Sequence, residues 1–179
     1  GYQMQSECAG VHDGSPYKQV NPMQHYENTA SARGSRVDGF NPEYGAPTLP
    51  TVEILREMMD EKDLWPINKE VWDYLDGNGF HLMSTMYADL VNNYGQSSSI
   101  DEFAQKGQFV GAMNSKSIWE VWNYNKLDYG DRFCSGLLFW YHNCPVRQVC
   151  ARMWDWSLEP TASPYHTQNA LEPLHAQFD

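Results

Sequence analysis

The sequence predicts an α/β fold of the βα-repeat kind. Three observations carry that expectation. Short β-prone segments alternate with helical ones, in the order strand, helix, strand, long helix, buried strand, helix. The run Ser135-Gly136-Leu137-Leu138-Phe139-Trp140-Tyr141 is continuous in its β-formers rather than alternating, which suits a strand covered on both faces in a parallel sheet. With 41% hydrophobic and 14% aromatic residues in 179, the chain has the bulk for a sizeable core, and intrinsic disorder is ruled out. The length suits one domain, or one domain and a piece of another.

Tyr2 to Ser6 form a candidate strand, followed by the turn formers His12-Asp13-Gly14-Ser15-Pro16 and Asn21-Pro22. Met23 to Ser31 read as a short helix closed near Gly34. Arg36 to Asn41 read as a strand, and Pro42 forces Asn41 into extended geometry and ends it at a corner. A loop, Glu43-Tyr44-Gly45-Ala46-Pro47, follows. Pro50 pre-sets the first turn of a helix through Met59, with Val52, Leu55, Met58 and Met59 on one face.

Asp60 to Gly79 read as a loop-rich excursion, and His81 to Tyr94 as a helix ended by Gly95. Ser99 and Glu102 form a capping box, each satisfying an orphan N–H at a helix start. From there Ile100, Phe103, Val110, Ile118 and Val121 recur at helical spacing to about Asn123. Gly107 and Asn114 fall on the same stripe and permit a close approach. After the apolar strand, Val146 to Trp156 read as an irregular helical segment. Pro173 to Phe178 alternate like the first strand of an antiparallel domain.

Charge narrows the partners. Twenty-three acidic residues, 23 Asp+Glu against 12 Lys+Arg, leave a net charge of −11. Such a surface repels phosphate backbones and anionic lipid, so no nucleic acid and no membrane partner is expected. There is no apolar run of about 18 residues, and Gly1 to Ser6 lack the basic-then-apolar order of a leader. A soluble, acidic, globular chain is expected. The four cysteines, Cys8, Cys134, Cys144 and Cys150, include no CxxC pair. Cys8 with His12, or Cys144 and Cys150 with His142, are the metal groupings on offer, but structural-zinc spacing is missing and buried free thiols are the better reading.

The candidate chemistry sits at Glu43. A carboxylate just after a buried parallel strand stands where (β/α) barrels place catalytic groups, with Pro42 and Gly45 fixing the backbone around it. The competing reading is a surface turn with a solvated Glu, and local composition alone favours that one.

Longer motifs bear on the choice. Gly39-Phe40-Asn41-Pro42-Glu43-Tyr44-Gly45 resembles the nucleophile segment of glycoside hydrolase family 2, where a Glu ends the seventh barrel strand in a Phe-Asn-Ser-Glu-like motif. The stretch from Pro50 to Met59 resembles the helix after that strand in the exo-β-D-glucosaminidase branch. Ser15-Pro16-Tyr17 is similar to that branch's Gly-Pro-Tyr loop. Asp101-Glu102-Phe103 with Lys106 and Gln108 resembles its Asp-Phe-x-x-Lys-x-Gln helix. Gly136 to Trp140 with Asn143 resembles the eighth strand. Glu172 to Phe178 is similar to the Glu-Pro-Leu-His-Ile-Gln-Tyr join into an immunoglobulin-like domain. The matches run in order along nearly the whole chain. They depart at Pro42, where the family more often has Ser, and around Cys144-Pro145, where the glucosaminidases tend to carry Ser-Gly-Trp. The departures leave the sugar open.

The resemblance implies the C-terminal portion of a (β/α)8 TIM barrel, about strands six to eight with their helices, over residues 1–171. Residues 172–179 would begin an immunoglobulin-like β-sandwich. It implies a retaining exo-β-glycosidase of the glucosaminidase and β-mannosidase-like branch, removing terminal glucosamine or mannose. Glu43 would be the nucleophile, with an acid/base carboxyl about 5–5.5 Å away. Trp140 would wall the sugar pocket, Asn143 would bind a sugar hydroxyl, and Tyr17 would donate to nucleophile or substrate. Against these stand a core Trp on a buried strand, a turn-forming Asn and an ordinary loop Tyr. The family's acid/base lies in an Asn-Glu motif on the fourth strand, and no pair in this chain fits it. The chain alone is therefore expected to be inactive and to work with the remaining domains of a larger enzyme. No cofactor or metal is required by the double displacement. The family suggests a periplasmic or secreted setting in bacteria, vacuolar or lysosomal elsewhere. The rival expectation is a non-catalytic carbohydrate-binding or structural remnant of such a barrel.

Overall fold

The computed structural model describes residues 40–124, 126 and 136–177. The candidate strand at Tyr2 to Ser6, the helix at Met23 to Ser31 and the first part of the Arg36 to Asn41 strand lie outside them. So do Tyr17, Cys8 and Cys134.

The described elements are β1 (Asn41–Tyr44), α1 (Val52–Met58), α2 (Glu61–Leu64), α3 (Lys69–Leu75), a π turn (Met83–Tyr87) running into α4 (Ala88–Asn92), α5 (Ile100–Tyr124), β2 (Leu137–Phe139) and α6 (Ser163–Ala170). The two strands pair in parallel, as a βα-repeat requires, and the helices between them are the crossover. Among the described residues no helix is long and apolar enough to cross a membrane.

α1 begins two residues later than Pro50 suggests, because Thr51 is the N-cap and Pro50 precedes it. Leu55 and Ile54 are buried, with Val52, Met58 and Met59 packed at the edge of the core. The supposed loop from Asp60 to Gly79 is instead mostly helical. Asn68 caps α3 by accepting from the Glu70 N–H at 3.2 Å, and its amide donates to Asp63 Oδ1 at 2.6 Å. Trp72 is fully buried, its indole N–H donating to the Asp63 carbonyl at 3.0 Å and its ring meeting Phe103 edge-on at 6.0 Å. One large aromatic with a satisfied N–H thus anchors two short helices that carry little periodicity of their own.

α5 matches its expected span to within a residue. Glu102 N–H donates to Ser99 Oγ at 3.3 Å, one half of the capping box. The other half shifts by one residue, since Glu102 Oε2 accepts from the Ser98 N–H at 2.8 Å and Ser98 Oγ at 3.0 Å. Ile100, Phe103, Val110, Ile118 and Val121 are all buried. Gly107 and Gly111 let the segment of Thr48 and Leu49 press onto the helix: a Cβ at Gly107 would lie 2.8 Å from Leu49, and one at Gly111 2.4 Å from Thr48. Lys106 bonds the Gly95 carbonyl and Glu102, both at 2.7 Å, while Gln108 donates to the Leu49 carbonyl and accepts from the Ala162 N–H at 2.6 Å. Lys106 and Gln108 therefore tie α5 to its neighbours.

Four further expectations are corrected. The strand does not end at Asn41, since β1 continues through Pro42 and Glu43 to Tyr44, and an extended Asn41 lets it do so. Val146 to Trp156 is not helical. Its N–H groups pair at long range instead, Val149 with the Leu75 carbonyl at 3.1 Å and Ala151 with the Thr48 carbonyl at 2.7 Å, and such bonds compete with a helix. The apolar strand is not covered on both faces within the described residues: Leu137 is buried but Leu138 is 55% exposed. Residues 172–177 form no strand, and His175 and Gln177 instead bond Glu120 of α5, at 2.6 and 3.1 Å. A further helix, besides α2 and α3, went unforeseen. α6, with Pro164 in its first turn, packs along α5, and Asn123 donates to the Ala170 carbonyl at 3.1 Å.

Candidate active site

The candidate site residues Glu43, Trp140 and Asn143 fall at or beyond the C-terminal ends of β1 and β2. Asn41 pairs with Leu137 and Tyr44 with Phe139, so β1 carries one residue more than β2 between the two pairings. Pro42 has no N–H to give the ladder, which explains an irregularity there. The irregular stretch contains Glu43. Bulges of this kind occur next to active sites, where they re-aim a side chain.

Beyond the last pair, the two chains touch. A Cβ on Gly45 would stand 1.9 Å from the Trp140 carbonyl oxygen, so only glycine fits. A cis peptide joins Trp140 to Tyr141. Trp140 is 51% exposed and meets the Tyr141 ring edge-on at 5.4 Å, so it is no core tryptophan within the described residues.

Tyr141 is held from below. Its hydroxyl donates to Cys144 Sγ at 3.9 Å and accepts from Gln148 Nε2 at 3.4 Å. The buried Arg152 guanidinium lies 5.3 Å from its ring centre, a cation–π contact in a dry setting. Burial, with Cys144 alongside, pushes the Tyr141 phenol well above its ordinary value, so it stays a neutral donor. Cys144 and Cys150 are both free and buried.

Asn143 is exposed, yet it is not a free turn residue. It bridges Trp154 in parallel, flanked by the Trp154 N–H donating to the His142 carbonyl at 2.9 Å and the Cys144 N–H donating to the Trp154 carbonyl at 3.2 Å. His142 stacks on Trp154, ring centres 5.9 Å apart and planes nearly parallel. Asp155 shapes the next turn, its Oδ1 accepting from the Ser157 N–H and Oγ at 2.8 and 2.7 Å and from the Glu159 N–H at 3.1 Å.

Glu43 and Trp140 thus lie on paired strand ends, and Asn143 follows on the same exit loop. Sequence reasoning named His142 only as a possible metal ligand beside Cys144 and Cys150, and it did not single out Trp154 or the stacking of the two rings. The signal available was the Trp154-Asp155-Trp156 triplet, two aromatics flanking a turn former.

No protein-family model matches the chain. Among curated proteins it is similar to an exo-β-D-glucosaminidase of Amycolatopsis orientalis, 26% identical over 180 residues, covering 96% of this chain and 17% of that protein. A mannosylglycoprotein endo-β-mannosidase of Lilium longiflorum is 24% identical over 181 residues, covering 92% and 18%. These similarities support a relationship to the exo-β-D-glucosaminidases and β-mannosidases of glycoside hydrolase family 2.

Solved structures extend this family relationship at the level of fold. The exo-chitosanase CsxA of Amycolatopsis orientalis superposes with a TM-score of 0.77 at 23% identity, over 97% of this chain and 21% of that one. A β-D-mannosidase from Dictyoglomus thermophilum gives 0.68 at 14% identity, over 89% and 18%. The chain spans about a fifth of the length of the family 2 relatives it matches.

Proposed function

We propose that this chain is the C-terminal portion of the catalytic (β/α)8 barrel of a retaining exo-β-glycosidase that releases terminal β-linked glucosamine or mannose. β1 and β2 are then the seventh and eighth barrel strands, and residues 172–179 lead into a β-sandwich domain. The observation that carries the reading is the pairing of Tyr44 with Phe139, which brings the strand end bearing Glu43 beside the one bearing exposed Trp140. An acidic group and an aromatic face at the C-terminal ends of adjacent parallel strands are what a barrel glycosidase requires.

Glu43 attacks the anomeric carbon while a carboxylic acid from outside this chain protonates the leaving oxygen. Water, activated by that second group acting as base, then cleaves the glycosyl-enzyme. Trp140 packs its π-face on the C–H face of the sugar. Asn143 binds a sugar hydroxyl from the exit loop, and Tyr17 supports nucleophile or substrate. The net charge of −11 favours a neutral or cationic sugar over an anionic one.

The test is Glu43→Gln in the complete enzyme, assayed on a panel of aryl β-glycosides (glucosaminide, mannoside, galactoside, glucuronide). Hydrolysis is expected to fall by roughly a thousandfold or more. Undiminished turnover removes the nucleophile assignment, and binding of sugar by a protein that never turned it over leaves a carbohydrate-binding remnant. The glucosaminide-to-mannoside ratio in the wild type names the sugar.

A further inference from the structure

Away from the sugar site, Asp76, His81 and Cys150 meet inside the helical layer. All three are buried, and one potential ligand atom from each lies within 4.8 Å of the other two. They come from separate parts of the chain. Asp76 is the C-cap of α3, His81 follows the tight turn through Gly77 and Gly79, and Cys150 belongs to the extended segment after β2. Backbone bonds clamp these parts together on both sides of the cysteine: Val149 to Leu75 at 3.1 Å, and Ala151 to Thr48 at 2.7 Å.

The carboxylate is already oriented. Asp76 Oδ2 accepts from the N–H groups of His81 and Met83 at 3.1 and 3.2 Å, and Oδ1 lies 2.8 Å from His81 Nδ1. These bonds fix the carboxylate and the imidazole in one place before any ion arrives. The Cys150 thiol makes only a weak 3.6 Å contact to its neighbour's carbonyl. Sulfur, imidazole nitrogen and carboxylate oxygen together suit a borderline divalent cation, not calcium or magnesium. Thiolate and carboxylate also balance a dication's two charges, which a dry interior demands.

We propose that Asp76, His81 and Cys150 form a structural site for one zinc-class divalent cation, pinning α3 and its following turn to the Cys150 segment. A fourth, small ligand completes the tetrahedron. On binding, the Cys150 thiol proton leaves to solvent, so affinity rises with pH. Before binding, burial holds that thiol protonated, its pKa pushed up to about 12. The site was invisible to motif spacing because its ligands sit at 76, 81 and 150, and Cys144 and His142 take no part in it. It is independent of the glycosidase reading, and its readout does not pass through activity.

The probe is cobalt, added at one equivalent to the full chain purified under reducing conditions. The expected result is a thiolate-to-cobalt charge-transfer band in the near ultraviolet with intense visible bands, displaced by zinc. The band is expected to be lost in Cys150→Ala, weakened in His81→Gln and unchanged in Cys144→Ala. A wild-type chain with no such band, or a band that survives Cys150→Ala, overturns the site. If Cys150→Ala fails to fold, X-ray absorption of the zinc-loaded wild type decides instead. One sulfur at about 2.3 Å supports the site, and a shell of nitrogen and oxygen only rejects it, leaving a hydrogen-bonded structural cluster.

Discussion

Gly45 and Trp140 meet backbone to backbone: the position of a Cβ on Gly45 is 1.9 Å from the Trp140 carbonyl oxygen. Neither partner is a flexible side-chain end that can give way. Gly45→Ala is therefore expected to push β1 and β2 apart at the site, costing more than about 3 kcal/mol. Chemical denaturation checks the cost. A Gly45→Ala protein as stable as wild type means the two strand ends are not in this contact.

Trp140 is half exposed, so removing its ring should affect sugar binding far more than stability. In the complete enzyme, Trp140→Ala is expected to lower kcat/KM on the preferred aryl glycoside by about 10- to 100-fold, a loss of about 1.4–2.8 kcal/mol. Trp140→Phe should recover much of it by keeping an aromatic face. Equal melting temperatures with unequal kinetics support the pocket wall. The reverse pattern, lost stability with intact kinetics, assigns Trp140 a packing role.

On α5, two effects of opposite sign compete at Gly111. Alanine gains about 1 kcal/mol of helix propensity, whereas the new Cβ would lie 2.4 Å from Thr48 Cγ2. Thr48 cannot retreat, being bonded to Ala151 in both directions, at 3.1 and 2.7 Å, and to Ser163 Oγ at 2.9 Å. Overpacking at such a site costs about 1–3 kcal/mol, so the steric effect wins. Gly111→Ala should melt at a lower temperature than wild type. Gly107→Ala should lose less, because the atoms of Leu49 it meets stand farther off, at 2.8 Å and beyond.

The start of α5 carries a pH-dependent bond set. Lys106 first, then the Ser98 N–H and hydroxyl, hold the Glu102 carboxyl at about 2, below its ordinary 4.5. A depressed acid stabilises the fold above its unfolded value and loses that contribution as pH falls through its folded value. The stabilising effect is therefore full above about pH 5, and it fades between 4.5 and about 2. Glu102→Gln should melt below wild type at pH 7 and match it near pH 2. A gap that stays constant across that range would show that the carboxylate charge plays no part.

The elements that sequence reasoning located well are those whose information is local. α5 declares itself by a cap at Ser99 and Glu102 and by a stripe of apolar residues at helical spacing; the stripe and the Ser99 half of the cap survive in the structure, while the Glu102 carboxylate turns to Ser98. α2 and α3 were missed because they are short and weakly amphipathic, and they exist through Trp72 and Phe103 rather than through propensity. Val146 to Trp156 misled for the opposite reason. Its composition permits a helix, but its N–H groups are claimed by Leu75, Thr48 and His142. At the candidate site, the sequence singles out Glu43 and Trp140 as motif residues and the structure adds that their strand ends adjoin, whereas the stacking of His142 on Trp154 was not legible, since it depends on a loop returning across itself.

The amino-acid sequence by itself determined the parallel βα character of the chain, its long central helix, its acidity and its resemblance to family 2 glycosidases, because each depends on residue type and order alone. Only the tertiary structure decided which groups face one another: the strand end bearing Glu43 beside Trp140, Thr48 against Gly111, and Cys150 beside Asp76 and His81. The physical reason is that long-range partners are selected by packing and by the obligation to satisfy buried backbone and polar groups. Neither of these is encoded at any fixed spacing along the chain.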